Sequence, residues 1–242
     1  MKNKILLLAV LSWFTLTATA QEKKVTWDYP VKPGMKEWKK LDSNEEMVTT
    51  CQIPEKILSF LSTEDLAILC LQYPLLYDVF AFNDLNEGLN KLFDDFNGIR
   101  ELYKRRDASG ELLRQYNLKI QNFSFLDSKA SDTEKGLFII SISALEVLLC
   151  QLTTKNEELR ETPKETLYNL VSGYEQKSKY AEYFKGFGFR TNYYSRIHVI
   201  LKINNSNEEK LSQKRKNAVL FSGVADKQTI NVIDELSYQL IR

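Results

Sequence analysis

The sequence predicts an all-α protein, an array of short antiparallel helices that is either solenoid-like or an irregular multi-helical bundle. Three observations predict it. Helix-start signals of the S/T-x-x-E type recur along the chain: Ser43 with Glu46, Ser131 with Glu134, Thr162 with Glu165 and Ser206 with Glu209. In each the hydroxyl accepts a bond from a free backbone N–H while the carboxylate reaches back to another. Apolar residues between these signals recur at three- and four-residue steps, the period of one helix face. The prolines fall where helices begin or stop, not inside long apolar runs. No clean internal period appears, so a named repeat family is unsupported.

The elements follow in chain order. Residues 1–20 read as a signal peptide: Lys2 and Lys4 precede the apolar run Ile5–Leu11, Trp13, Phe14 and Leu16 prolong it, and Ala18-Thr19-Ala20 gives a small-x-small cleavage pattern. The run is shorter than the roughly twenty residues of a membrane span. Cleavage would start the mature chain at Gln21 and place the protein in the periplasm or outside the cell. Residues 21–35 form an extended arm, because Pro30, Pro33 and Gly34 oppose regular structure; Trp27 and Tyr29 are its expected anchors on the body. Residues 36–118 are a first helical half. Ser43 caps one helix there, Pro54 opens another, Ser62 with Asp65 caps a third and Pro74 ends it. After Asn83, read as an N-cap, Leu85, Leu89, Leu92, Phe93, Phe96, Ile99, Leu102 and Tyr103 draw a broad apolar stripe along one helix with a bend near Gly98.

Residues 119–242 are a second half packed on the first. Asp107 is a further expected cap. Between Asn117 and Ala130 the pattern is less regular, and Leu118, Ile120, Phe123 and Phe125 suggest a brief extended piece. Phe138–Leu149 is apolar on nearly every side, interrupted mainly by serines and Glu146, which predicts a central helix covered by its neighbours. Pro163 stands at the first position of the helix capped by Thr162, whose apolar positions Leu167, Val171, Tyr174, Ala181 and Phe184 share a face. Asp226 precedes a last helix with Ile230, Ile233, Leu236 or Ser237, and Leu240 inward.

Charge excludes some partners. The chain carries +1, and cleavage removes Lys2 and Lys4 without any acid, which leaves −1. A near-neutral body gives no electrostatic basis for nucleic acid or an anionic membrane. The runs Lys104-Arg105-Arg106 and Lys214-Arg215-Lys216 read as solvated helix faces. No G-x-x-x-x-G-K phosphate cradle occurs.

Chemistry-bearing residues are few. The three cysteines, Cys51, Cys70 and Cys150, all follow the leader. Cys51 and Cys70, near the ends of helices able to fold back on each other, are a possible disulfide in an oxidising compartment, while Cys150 reads as a small buried hydrophobe. The single histidine, His198, cannot form the two-His zinc pair of H-E-x-x-H, and neither metal nor cofactor is expected. A Cys150–His198 dyad would require both side chains to leave apolar helices. Asp94 and Asp95 are adjacent and diverge by about a hundred degrees on a helix, so they make a poor catalytic pair. The aromatic and basic stretch from Tyr180 to Arg196 is the binding candidate. Its residues Phe187, Phe189, Arg190, Tyr193, Tyr194 and Arg196 follow Gly186 and Gly188, which are expected to break the helix and bring rings onto a loop. Tyrosine rings with arginine donors suit a protein or envelope-glycan partner; packing of a helix junction is the alternative.

The stretches Cys51-Gln52-Ile53-Pro54, Leu61-Ser62-Thr63-Glu64-Asp65-Leu66, Cys70-Leu71, Tyr73-Pro74 and Phe96-Asn97-Gly98-Ile99-Arg100-Glu101-Leu102, with the Ala20-Gln21 junction, resemble a group of exported helical proteins of Bacteroidetes-type bacteria without assigned activity. The resemblance covers mainly residues 27–116. It implies a periplasmic or secreted helical protein and carries over no catalytic residue. Together these observations suggest an exported non-enzymatic binding or scaffold protein. The alternatives are an envelope hydrolase acting on glycan or peptide, and an inhibitor or accessory subunit of an exported enzyme.

Overall fold

The computed structural model describes residues 27–155, 162–185, 187–204, 211 and 227–242. The leader and its cleavage site, the Ser206–Glu209 box, the Lys214–Lys216 run and the Asp226 cap lie outside these residues. The described chain is all-α: α1 (Asn44–Thr50), α2 (Glu55–Leu58), α3 (Thr63–Leu71), α4 (Leu85–Asp95), α5 (Asn97–Leu102), α6 (Ala108–Gln121), α7 (Asp132–Lys155), α8 (Pro163–Lys179), α9 (Phe187–Ile203) and α10 (Lys227–Ile241), with 3-10 turns at Trp38–Lys40, Leu76–Phe80 and Phe123–Asp127.

The expected caps are largely present. Thr162 and Glu165 form a reciprocal box with Pro163 in the first turn, and Ser131 and Glu134 exchange the same pair of bonds. Ser43 accepts from the Glu46 N–H, although the Glu46 carboxylate reaches Asp42 N instead. Ser62 accepts from Asp65 N. Two cap assignments change. Asp84, not Asn83, caps α4 through Asn86 N, and the Asp107 carboxylate receives the Thr63 hydroxyl at 2.9 Å instead of bonding its own helix. The expected extended piece near residue 120 is helical: α6 runs to Gln121 and a 3-10 turn follows. The 118/119 division therefore falls inside α6, and a single cluster of buried apolar residues extends from Tyr29 to Leu236.

α7 is the centre. It packs against α3, α6, α8 and α9, with α10 on α8 and α9. One helix touching four others is bundle packing; in a solenoid each unit meets only its neighbours. From Ile142 to Thr153 every residue of α7 is buried, as the missing polar face predicts. α7 is long and apolar enough to cross a membrane by length and composition, with 72% of its apolar window buried inside the protein.

The predicted helix from Asn83 to Tyr103 is broken at Phe96, and residues 43–45 positions away break it. Gln52 donates to Asp95 O and accepts from Asn97 N, while Asn97 accepts from Ile53 N and donates to Ile53 O. A Cβ on Gly98 would lie 2.4 Å from the Phe96 ring and 3.0 Å from Ile53. The Cys51–Pro54 and Phe96–Leu102 stretches are thus two sides of one clasp, with Arg100 donating to the exposed carbonyls of Phe93 and Asp94 at the end of α4. The arm is held as expected: Tyr29 is buried and donates to Leu69 O at 2.8 Å, with Trp27 edge-on to its ring.

Candidate functional site

The aromatic and basic residues singled out from the sequence lie on α9 and not on the expected loop, and they pack a junction of helices, the other reading their pattern allowed. Gly188 falls inside the helix, where its missing Cβ admits the Phe184 ring, which would otherwise meet it at 2.7 Å. Tyr193, Tyr194 and Arg196 are buried, and Phe189 and Arg190 are half-buried; the side chain of Phe187 lies outside the described residues. α9 faces α7, α8 and α10 at once, so few of its positions remain for solvent. Tyr194 donates to Asn86 and accepts from Gln151, and Tyr193 meets Tyr174. Arg196 is held by Asp234 at 2.7 Å, Ser237 and Ile233 O, with its guanidinium over the Tyr174 ring. These contacts fix α10 and α8 to α9.

One turn from this cluster sits a polar hub that sequence reading missed. Glu146 and Lys177 are both fully buried and pair at 2.7 Å. Glu146 Oε1 accepts from Tyr116 and Asn192, and Oε2 accepts from Lys177 and Thr191. Lys177 also donates to Gly188 O at 2.6 Å. Burial pulls the Lys177 pKa down, and the Glu146 charge opposes that pull. The Tyr116 pKa is driven well up by burial and by Glu146. Every Glu146 oxygen is satisfied, and the hub ties α6, α8 and α9 to α7.

The three cysteines are free thiols and buried, so the possible Cys51–Cys70 bridge is not formed. Burial pushes the Cys51 thiol up to about 11 and Cys70 higher still. Such thiols are poor nucleophiles. Cys150 is fully buried in α7; His198 on α9 lies tilted against Tyr194 with ring centroids 4.3 Å apart. Asp95 is held by Lys91 and Asp94 points away to solvent. Arg105, in the basic run, donates to Leu58 O and Leu61 O, which makes it a brace between elements. Among the described residues no group of three or more His, Cys, Asp or Glu is arranged to hold a metal ion.

A groove of about 680 Å³ lies between α6 and α7, within the roughly 300–1,000 Å³ usual for ligand sites. One wall is α6, through Gln115, Leu118 and Lys119, with its C-cap Asn122; the other is α7, through Glu134, Leu137, Phe138, Ser141 and Leu145. Both sets follow helical spacing, so the walls are two helix faces. The floor comes from α3 and the Leu76–Phe80 turn. Leu118 and Leu137 are 50% and 51% exposed on its edges. Lys119 lies over the Phe138 ring at 5.3 Å, half-buried, with its pKa lowered by burial. No described carboxylate pairs with it, since Glu134 is occupied by Ser131. This is a largely apolar trough with one unpaired cation. Comparison with protein-family models, with characterised proteins and with solved structures gives no match for this chain.

Proposed function

We propose that the chain is an exported, non-enzymatic binding protein that takes an amphipathic helix of a partner protein into the α6–α7 groove. The observation that carries the reading is the groove itself, with Leu118 and Leu137 left half in water on a body whose other apolar helix faces are mostly covered. From Glu134 to Leu145 the trough runs about 16 Å at 1.5 Å per residue, close to three helical turns. A helix laid between two helices packs ridges into grooves and presents anchors at i, i+3 or i+4, and i+7. Lys119 requires an acidic residue on that helix, because an unpaired cation covered by a partner would be costly. Export rests on the leader at residues 1–20, and N-terminal sequencing of the exported protein should begin at Gln21.

The test is site-specific photocrosslinking in envelope extracts. A photoreactive residue at Leu118 or at Leu137 should trap the same discrete protein, one at Tyr168, 61% exposed on α8, should not, and Leu137→Glu should abolish trapping from position 118. Equal labelling from position 168, no discrete adduct, or an adduct of two copies of this chain would each refute the reading.

A further inference from the structure

A second cleft opens on the opposite side of α6 and shares no lining residue with the groove. At about 100° per residue, Asn117 and Gln121 stand away from Leu118 and Lys119 and on the side of α8. From α8, Asn169, Ser172 and Gln176 face them at i, i+3 and i+7. The two helices meet where Gly173 lies against Tyr116, so closely that a Cβ would fall 1.8 Å from the hydroxyl. The cleft lies beside that contact, so its walls are set by the core. Its volume is about 500 Å³. The buried Ile120 and Phe123 give it an apolar floor. Tyr180 stands at one end, its ring 5.5 Å from that of Phe123 and its hydroxyl donating to Asp127 at 2.9 Å.

The lining is selective in its chemistry. α6 and α8 also carry Glu111, Arg114, Lys164 and Glu175, all outside the cleft. No carboxylate lines it, and its one cation, Lys179, donates to Gln176 Oε1 at 3.3 Å. Asn117, Asn169, Ser172 and Gln176 are half-buried, yet none of their polar atoms is among those sealed from solvent without a partner, so a molecule in the cleft reaches them. The Asn117 amide and the Ser172 hydroxyl have no side-chain partner among the described residues. Asn169 donates to Glu165 O at 2.9 Å, which leaves its Oδ1 as an acceptor, while the Lys179 bond on Gln176 leaves Nε2 as a donor. Amides and hydroxyls offer donors and acceptors without charge, as sugar hydroxyls do. A peptide would need a strand edge or side-chain pockets, and an anion would need free cations; here both walls are helices and the one cation is taken. We propose that this cleft binds a neutral glycan over the length of one disaccharide. From Asn169 to Gln176 it spans about 10.5 Å at 1.5 Å per residue, the length of about two pyranose rings. Their hydroxyls donate to Asn169, accept from Gln176 and bond Asn117 and Ser172, with an apolar ring face against Tyr180.

The probes are cellobiose, maltose, lactose and N,N′-diacetylchitobiose, titrated into the protein by calorimetry and NMR, with trialanine as the peptide counterpart. At least one disaccharide should bind at one site and saturate by about 20 mM. Asn169→Ala and Gln176→Ala lie on a helix surface, where alanine favours the fold, so circular dichroism should be unchanged. Each should weaken that sugar by about threefold to tenfold, the loss of one neutral hydrogen bond. Lys119→Ala, in the groove, should leave the sugar affinity as it is. No saturation by any of the four sugars at about 20 mM, equal affinity in both cleft variants, or tighter binding of trialanine than of every disaccharide would each overturn the proposal.

Discussion

Removing either partner of the buried Glu146–Lys177 pair should destabilise the protein, and the two losses should be unequal. Glu146→Leu strips Lys177 of its counter-ion and leaves it one acceptor, Gly188 O. It also orphans the Tyr116 hydroxyl, while Asn192 keeps Leu170 O and Thr191 keeps Gly188 O. An uncompensated buried charge costs about 3–5 kcal/mol, and the orphaned hydroxyl adds about 1 kcal/mol or more, so the expected loss is near the top of that range. Lys177→Met leaves Glu146 with three donors, from Tyr116, Asn192 and Thr191. Hydrogen bonds of this kind stabilise a carboxylate in their own right, so the expected cost is about 2–3 kcal/mol, that of one charged hydrogen bond. The double variant removes both charges and should recover at least about 1.5 kcal/mol relative to Glu146→Leu, because an apolar replacement of a buried pair avoids its desolvation. Urea unfolding of the protein by far-ultraviolet circular dichroism, compared at constant slope, measures all three. If Lys177→Met were as damaging as Glu146→Leu, or if the double variant were the least stable, the hub would not work as its geometry indicates.

Two glycines should respond in opposite directions. A Cβ at Gly173 would fall 1.8 Å from the Tyr116 hydroxyl, so Gly173→Ala should cost about 1–3 kcal/mol by overpacking, whereas Gly136, near the exposed start of α7, has nothing within 4 Å and Gly136→Ala should gain about 0.5–1 kcal/mol in the same assay. At pH 8 a thiol reagent should leave the native protein unlabelled and find all three cysteines in guanidinium; one thiol in guanidinium would mean a bridge. Burial raises the folded pKa of Tyr29, Tyr73, Tyr103, Tyr116 and Tyr193. Above about pH 10 the unfolded chain therefore holds fewer protons than the folded one, and stability falls as pH rises. Lys177, with its folded pKa lowered, contributes the opposite slope below about pH 10.5, too little to cancel five tyrosines. Urea midpoints that stay level between pH 9 and pH 11 would contradict this.

Local signals were the legible ones. The Ser131 and Thr162 boxes and the central α7 could be read because a cap involves three or four consecutive residues and an all-apolar helix declares its burial. The α4–α5 break could not, because Gln52 and Asn97 impose it from 45 residues apart. The α9 rings were misread for a related reason. Glycine weakens a helix in general, yet Gly188 stands in the first turn of α9, where it leaves room for the Phe184 ring four residues earlier. Arg196, counted as a surface donor, finds Asp234 and Ser237 on a helix 38–41 residues later. The groove was equally hidden, since Leu118 reads as part of an extended piece and Leu137 falls just before the Phe138–Leu149 run that reads as covered.

Glu146 bears on more than stability. An amphipathic helix has its rotation fixed by its apolar stripe, but α7 between Ile142 and Thr153 is buried on every side, so hydrophobic burial alone leaves its rotation about its own axis weakly specified. Glu146 supplies the missing preference. Only one rotation delivers its carboxylate to Tyr116 on α6, Lys177 on α8, and Thr191 and Asn192 on α9 simultaneously. Any other strands a charge in an apolar layer, at a cost of several kcal/mol. The same rotation, carried along the rigid helix, sets Leu137, Phe138 and Ser141 as one wall of the groove. The groove wall and the buried ion pair are therefore two ends of one constraint: the charge that orients the helix inside the protein decides which apolar residues face the trough outside it.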